Sequence, residues 1–165
     1  MKTQGNADAN RYHSAVEEFL SSALYPMLSN GRKEEKLHDG RKRVDIVYDN
    51  VDRSRFFFWL AQHGYRCPFI FVECKNYSRN VENPEFDQLS GRFSDQRGKI
   101  GLLIYRQMDE KQKVITSCRD AARDGRGWMI PIDDYDLESI ANLLDDNDLQ
   151  GVDAFLRNIF SKLVM

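Results

Sequence analysis

The segment Phe69-Ile70-Phe71-Val72-Glu73-Cys74-Lys75, opened by Cys67-Pro68, limits the folds open to this chain more than any other. In extended backbone successive side chains point to opposite faces. Phe69, Phe71, Glu73 and Lys75 therefore share one face, and Ile70, Val72 and Cys74 share the other. Both faces are apolar at the start, which is the pattern of a central strand covered on both sides. A chain that buries such a strand must supply further layers of structure. The length of 165 residues suits one domain and is enough for a sizeable core.

The flanking sequence supplies those layers. Tyr12, Ala15, Val16, Phe19, Leu20, Ala23 and Leu24 fall at helical spacing, and Pro26 should end or kink that helix. Residues 1–10 are polar and are expected to be a flexible N-terminus, leaving 11–165 as a single domain. Residues 29–43 read as a turn-rich basic stretch, and Val44–Tyr48 as a strand followed by a turn at Asp49-Asn50. Arg55–Gln62 is aromatic-rich and fits a short helix or a strand, with a helix ending near Gly64 favoured. Asn83-Pro84-Glu85 is a helix start, with a cap, a proline at the first position and an acid in the first turn. That helix carries Phe86, Leu89 and Phe93 and is expected to end near Gly98. Lys99–Tyr105 and Gly127–Ile132 read as strands, and 109–124, 136–144 and 150–163 as helices. Strands alternating with helices imply an α/β (α+β layered) domain: a central mixed β-sheet flanked by helices, with extra helices at the C-terminal end.

Composition excludes several classes. No apolar run approaches the roughly 20 residues of a membrane span, and MKTQGNADAN has no apolar core of a secretory signal. Cys67, Cys74 and Cys118 form no CxxC pair, so reduced thiols and a cytoplasmic location are expected rather than a zinc site or disulfide scaffold. Phosphate-binding and nucleophile-elbow motifs are absent, and His13, His38 and His63 are isolated. Net charge is −2, but residues 1–132 carry +4 and residues 133–165 carry −6. The first part could meet a polyanion, with a solvated mixed surface as the commoner alternative; the tail would not.

Glu73 and Lys75 carry the chemistry. Opposite charges inside the most buried strand are costly unless they are paired or bind a metal. Acid-x-Lys also occurs at Glu34–Lys36 and Asp109–Lys111, but only Glu73–Lys75 lies within an apolar strand. Asp45 repeats the pattern inside Val44-Asp45-Ile46-Val47. If the two strands are neighbours, two carboxylates and one ammonium converge. That set makes a hard oxygen site for Mg²⁺ or Mn²⁺. Such a metal lowers the pKa of bound water and neutralises phosphate charge. The lysine beside it can hold the attacking water or stabilise developing negative charge. The blander alternative is a structural ion pair in an unrelated α/β domain.

Over residues 12–105 the chain resembles the PD-(D/E)XK nuclease superfamily, the restriction-endonuclease-like fold, whose core is a helix, three strands, a helix and a strand. Asp45 matches the family's first acid, and Glu73 and Lys75 match its second acid and lysine. Gln88, in Phe86-Asp87-Gln88-Leu89, matches a glutamine that many members place near the lysine. Glu17 or Glu18 matches a metal-binding glutamate of the first helix, and Glu18, followed by Phe19-Leu20, fits better. Three features depart from the pattern. Val44 replaces the usual proline, the first hairpin strand is not obvious between Arg32 and Asp45, and Asp49–Tyr65 exceeds a tight hairpin.

The resemblance implies a metal-dependent nuclease acting on nucleic acid, with DNA favoured, in a bacterial defence or DNA-processing system. Asp45, Glu73 and Glu18 are then the expected metal ligands, with Lys75 and Gln88 completing the catalytic set. Arg41, Lys42, Arg43 and Asn76 are expected to contact nucleic acid. The chain has no recognisable DNA-reading motif, so a homodimer or a separate specificity partner is expected. The alternative is a nuclease-fold domain that no longer cuts and serves as a nucleic-acid or protein binding module.

Overall fold

A computed structural model of the chain describes residues 4–33, 46–76, 83–106 and 110–165. Five strands lie side by side in chain order: β1 (Leu28–Lys33), β2 (Ile46–Asn50), β3 (Phe69–Lys75), β4 (Ile100–Tyr105) and β5 (Trp128–Asp133). The β1–β2 and β2–β3 pairs are antiparallel, and β3, β4 and β5 are parallel. Parallel neighbours need crossover connections. Helix α3 (Asn83–Ser90) lies in the first crossover and α4 (Lys111–Arg123) in the second. The remaining helices are α1 (Gln4–Ala23), α2 (Phe56–Gln62), α5 (Asp134–Asp145) and α6 (Leu149–Val164). The expectation of a mixed sheet flanked by helices holds. No helix among the described residues is long and apolar enough to cross a membrane.

The alternation along β3 divides the molecule. Register places Phe71, Glu73 and Lys75 beside Gly101, Leu103 and Tyr105. Those in turn lie beside Met129, Pro131 and Asp133. Helix α3 covers this face. A Cβ on Gly101 would come within 2.9 Å of Leu89 Cδ1, so the missing side chain lets the helix sit close. Leu89 is fully buried, and burying a leucine contributes about 1.5–3 kcal/mol. The opposite face of the sheet presents Val72 and Cys74 beside Leu102 and Ile104. Helix α1 packs there, its Ser21 hydroxyl 2.8 Å from the hydroxyl of Tyr48, whose register partner is Ile70. Phe160 of α6 closes the same side, its ring against Phe56, Trp59, Tyr65 and Trp128.

Four elements differ from the sequence reading. Helix α1 spans Gln4–Ala23, starting ahead of the apolar spacing that opens at Tyr12 and ending ahead of Pro26. Strand β1 occupies Leu28–Lys33, almost wholly inside the stretch read as turns. It is an edge strand with only Leu28 buried, so it shows no alternating pattern. Pairing with β2 defines it, with a register shift between Ser29 and Arg32. Strand β2 continues through Asp49-Asn50, read as a turn, because Asp49 pairs with Ser29 on one side and Phe69 on the other. Helix α3 stops at Ser90 instead of reaching Gly98. Phe93 turns inward to meet Phe71, ring centroids 5.9 Å apart. Ser94 and Gly98 then close a tight turn through two backbone hydrogen bonds of 3.2 and 2.8 Å. Gly98 has φ +88, a conformation that glycine adopts without strain.

Candidate functional site

Glu73 and Lys75 lie at the carboxyl end of β3, their side chains only 2% and 5% exposed. The Lys75 ammonium forms an ion pair with Glu73 Oε1. It also donates to Gln88 Oε1 at 2.7 Å. Seating Leu89 on Gly101 places the adjacent Gln88 within reach of Lys75. Lys75 is thus held between its own strand and the crossover helix. Glu73 Oε2 is buried and has no hydrogen-bond partner among the described residues. Leaving a buried acceptor unsatisfied costs about 1–3 kcal/mol, and more when it is charged. A carboxylate oxygen of this kind has the chemistry to ligate a hard cation.

The other expected residues fall in different places. Asp45, Arg41, Lys42 and Arg43 lie outside the described residues. Ile46, which Asp45 precedes in the chain, is the register partner of Val72, which precedes Glu73. Glu18 is solvent-exposed on α1, the helix that packs on the opposite face of the sheet from Glu73. Its neighbour Glu17 is paired with Lys33 at 2.6 Å. The structure therefore brings Glu73, Lys75 and Gln88 together and leaves Glu18 apart from them. Asn76 follows Lys75 directly, and its Oδ1 accepts from Arg106 Nε at 2.8 Å.

Sequence reasoning missed a polar row beside this pair. Lys75, Tyr105 and Asp133 are successive register partners across three parallel strands. Tyr105 is fully buried, and its hydroxyl has no hydrogen-bond partner among the described residues. Burial, reinforced by Asp133 and Asp136, pushes that hydroxyl well above its ordinary pKa. Lys111 Nζ lies 3.0 Å from Asp133 Oδ2 and 2.6 Å from Asp136 Oδ2. Burial works against the charge on Lys111, but the hydrogen bonds to Asp136 and Asp133 outweigh it and the pKa rises. Burial raises the Asp136 carboxyl, with Lys111 opposing the shift. One signal could have found the row: Asp133 closes Trp-Met-Ile-Pro-Ile much as Glu73 closes Phe-Ile-Phe-Val.

Among the described residues no three His, Cys, Asp or Glu side chains gather into a metal cage. The donor chemistry of Glu73 Oε2 nonetheless fits an oxygen ligand for Mg²⁺ or Mn²⁺. No family model, curated protein or solved structure matches this chain.

Proposed function

We propose that this chain is a Mg²⁺- or Mn²⁺-dependent nuclease of the restriction-endonuclease-like kind. It would hydrolyse phosphodiester bonds of nucleic acid, with DNA favoured by the resemblance, in a defence or DNA-processing role. The observation that carries this reading is the buried Glu73 oxygen, without a partner among the described residues, beside a lysine held by Gln88. The order helix, three strands, helix, strand over α1 to β4 supports it once the inserted α2 is set aside.

Glu73, through Oε2, and Asp45 are the residues that would hold the cation. When bound, the cation neutralises phosphate charge and lowers the pKa of a coordinated water. The chain's own contribution is Lys75. An ammonium has three N–H donors, and two are taken by Glu73 and Gln88. The third has no partner among the described residues and would serve the attacking water or a phosphate oxygen. As the water oxygen bonds to phosphorus and gives up its proton to solvent, and the bond to the leaving oxygen breaks, that donor offsets the growing negative charge. Gln88 fixes the ammonium, so little reorganisation is needed at that moment. Recognition of sequence would come from a second copy or a separate partner.

The test is nicking of supercoiled plasmid by the purified chain with Mg²⁺ or Mn²⁺. Nicking that disappears with EDTA and in Lys75→Ala is the expected result. Equal activity in wild type and Lys75→Ala overturns the proposal.

A further inference from the structure

The carboxyl edge of the sheet holds a second oriented cation that the Glu73–Lys75 pair does not use. Arg106 follows β4 directly, one residue past Tyr105, the register partner of Lys75. Its guanidinium is held from three sides. Nε donates to Asn76 Oδ1 at 2.8 Å, and Nη1 lies 3.5 Å from Asp134 Oδ2. The Tyr12 ring lies against it, 4.2 Å from centroid to Cζ. The Tyr12 hydroxyl donates to Asp134 Oδ1 at 2.9 Å, so ring and carboxylate are themselves locked. The Arg106 side chain remains 41% exposed, and Nη2 has no partner among the described residues. The acid contact is long and reaches one nitrogen only, so it leaves the planar fork open for a two-point contact. A guanidinium already held in place loses little rotamer freedom when an anion arrives.

Arg106 and Lys75 also sit on opposite sides of the sheet. Strand alternation sends Lys75 toward α3 and Arg106 toward α1, although their backbones are within about 6 Å from strand spacing and rise. The two cations straddle the edge. A polynucleotide strand crossing that edge meets both, whereas a mononucleotide at Lys75 meets one.

We infer that Arg106 binds a backbone phosphate of the nucleic acid, next along the strand from the phosphate at Lys75. Asn76, Tyr12 and Asp134 are positioning residues for it. The identity of the anion rests on the nuclease reading.

The experiment uses the full chain carrying Lys75→Ala in Mg²⁺, with a fluorescent DNA of about 20 nucleotides, single-stranded and duplex, titrated across salt. Arg106→Gln should weaken binding about 10-fold and reduce the slope of log affinity against log salt by about 1. Asp134→Asn keeps the shape but removes the competing charge, and should tighten binding. Unchanged affinity and slope in a folded Arg106→Gln variant overturns the inference. If Arg106→Gln does not fold, Asp134→Asn decides: binding no tighter than the parent overturns it, because a purely structural network predicts no gain. Arg106-dependent binding, with no plasmid nicking by the wild-type chain, keeps this inference and removes the nuclease reading. Nicking without any Arg106 effect on binding does the reverse.

Discussion

Two acid–lysine arrangements lie on the same face of the sheet, and they are built differently. At β5, Asp133 Oδ1 accepts from the Asp136 amide at 2.9 Å, and Asp136 Oδ2 accepts from the Asp133 amide at 3.0 Å. Lys111 joins both carboxylates. The two acids cap α5, where the helix dipole favours negative charge. At β3, Glu73 caps no helix, and one of its oxygens has no hydrogen-bond partner among the described residues. The same residue types thus make a fastening in one place and, in the other, leave a buried oxygen with no hydrogen-bond partner among the described residues. Satisfied carboxylates hold α4 and α5 to the sheet; the unsatisfied one has an oxygen to offer an external partner.

Experiment can dissolve this contrast. Lys75→Ala should lower plasmid nicking by at least about 100-fold, whereas Lys111→Met should leave nicking within a few-fold. Equal losses in the two variants would erase the distinction. Saturating Mg²⁺ should raise the melting temperature of the wild type but not of Glu73→Gln. At about 100 times Kd the gain is about 2.7 kcal/mol, and an equal shift in both proteins would remove Glu73 as the ligand.

Replacing both members of the β3 pair, Glu73→Leu with Lys75→Met, should be neutral or stabilising by about 1–4 kcal/mol in urea denaturation. Lys111→Met should instead destabilise by about 1–3 kcal/mol, because it strips a donor from two caps. A double variant as damaged as Lys111→Met would show the β3 pair to be structural.

The smallest effect is in pH. The folded state holds the Asp136 proton more tightly than the unfolded chain, so that contribution is present at acid pH and is lost as the carboxyl ionises. Relative to Asp136→Asn, the wild type should therefore lose stability as pH rises from about 4 toward neutrality. Thermal melts across that range check the sign, and a rising difference would contradict it.

Much of the fold was legible where one element carried its own pattern. Phe69–Lys75 announced both its strand and its buried charges, and the aromatic helix ends just before Gly64, which has φ +86. Elements defined by a neighbour were not legible. Leu28–Lys33 is a strand because β2 lies beside it, and the end of α3 follows from the turn of Phe93 toward Phe71. Of the side chains gathered at the end of β3, Glu73, Lys75 and Gln88 had been singled out through spacing and resemblance. Tyr105, Asp133, Lys111 and Arg106 were passed over, because no short motif joins residues spread over separate strands and a helix.

Residue order alone settles which side chains share a face of β3, since alternation follows from the geometry of extended backbone. It likewise settles that Glu73 and Lys75 are two residues apart on that face. Packing in three dimensions was needed to bring Gln88 to Lys75 and Lys111 to Asp136, across separations of 13 and 25 residues. Packing also satisfied Asp133 and Asp136 while leaving Glu73 Oε2 without a partner among the described residues. The physical reason is range: a hydrogen bond forms only near about 3 Å. Strand register and the seating of α3 and α4 bring chain-distant groups within that distance or keep them beyond it.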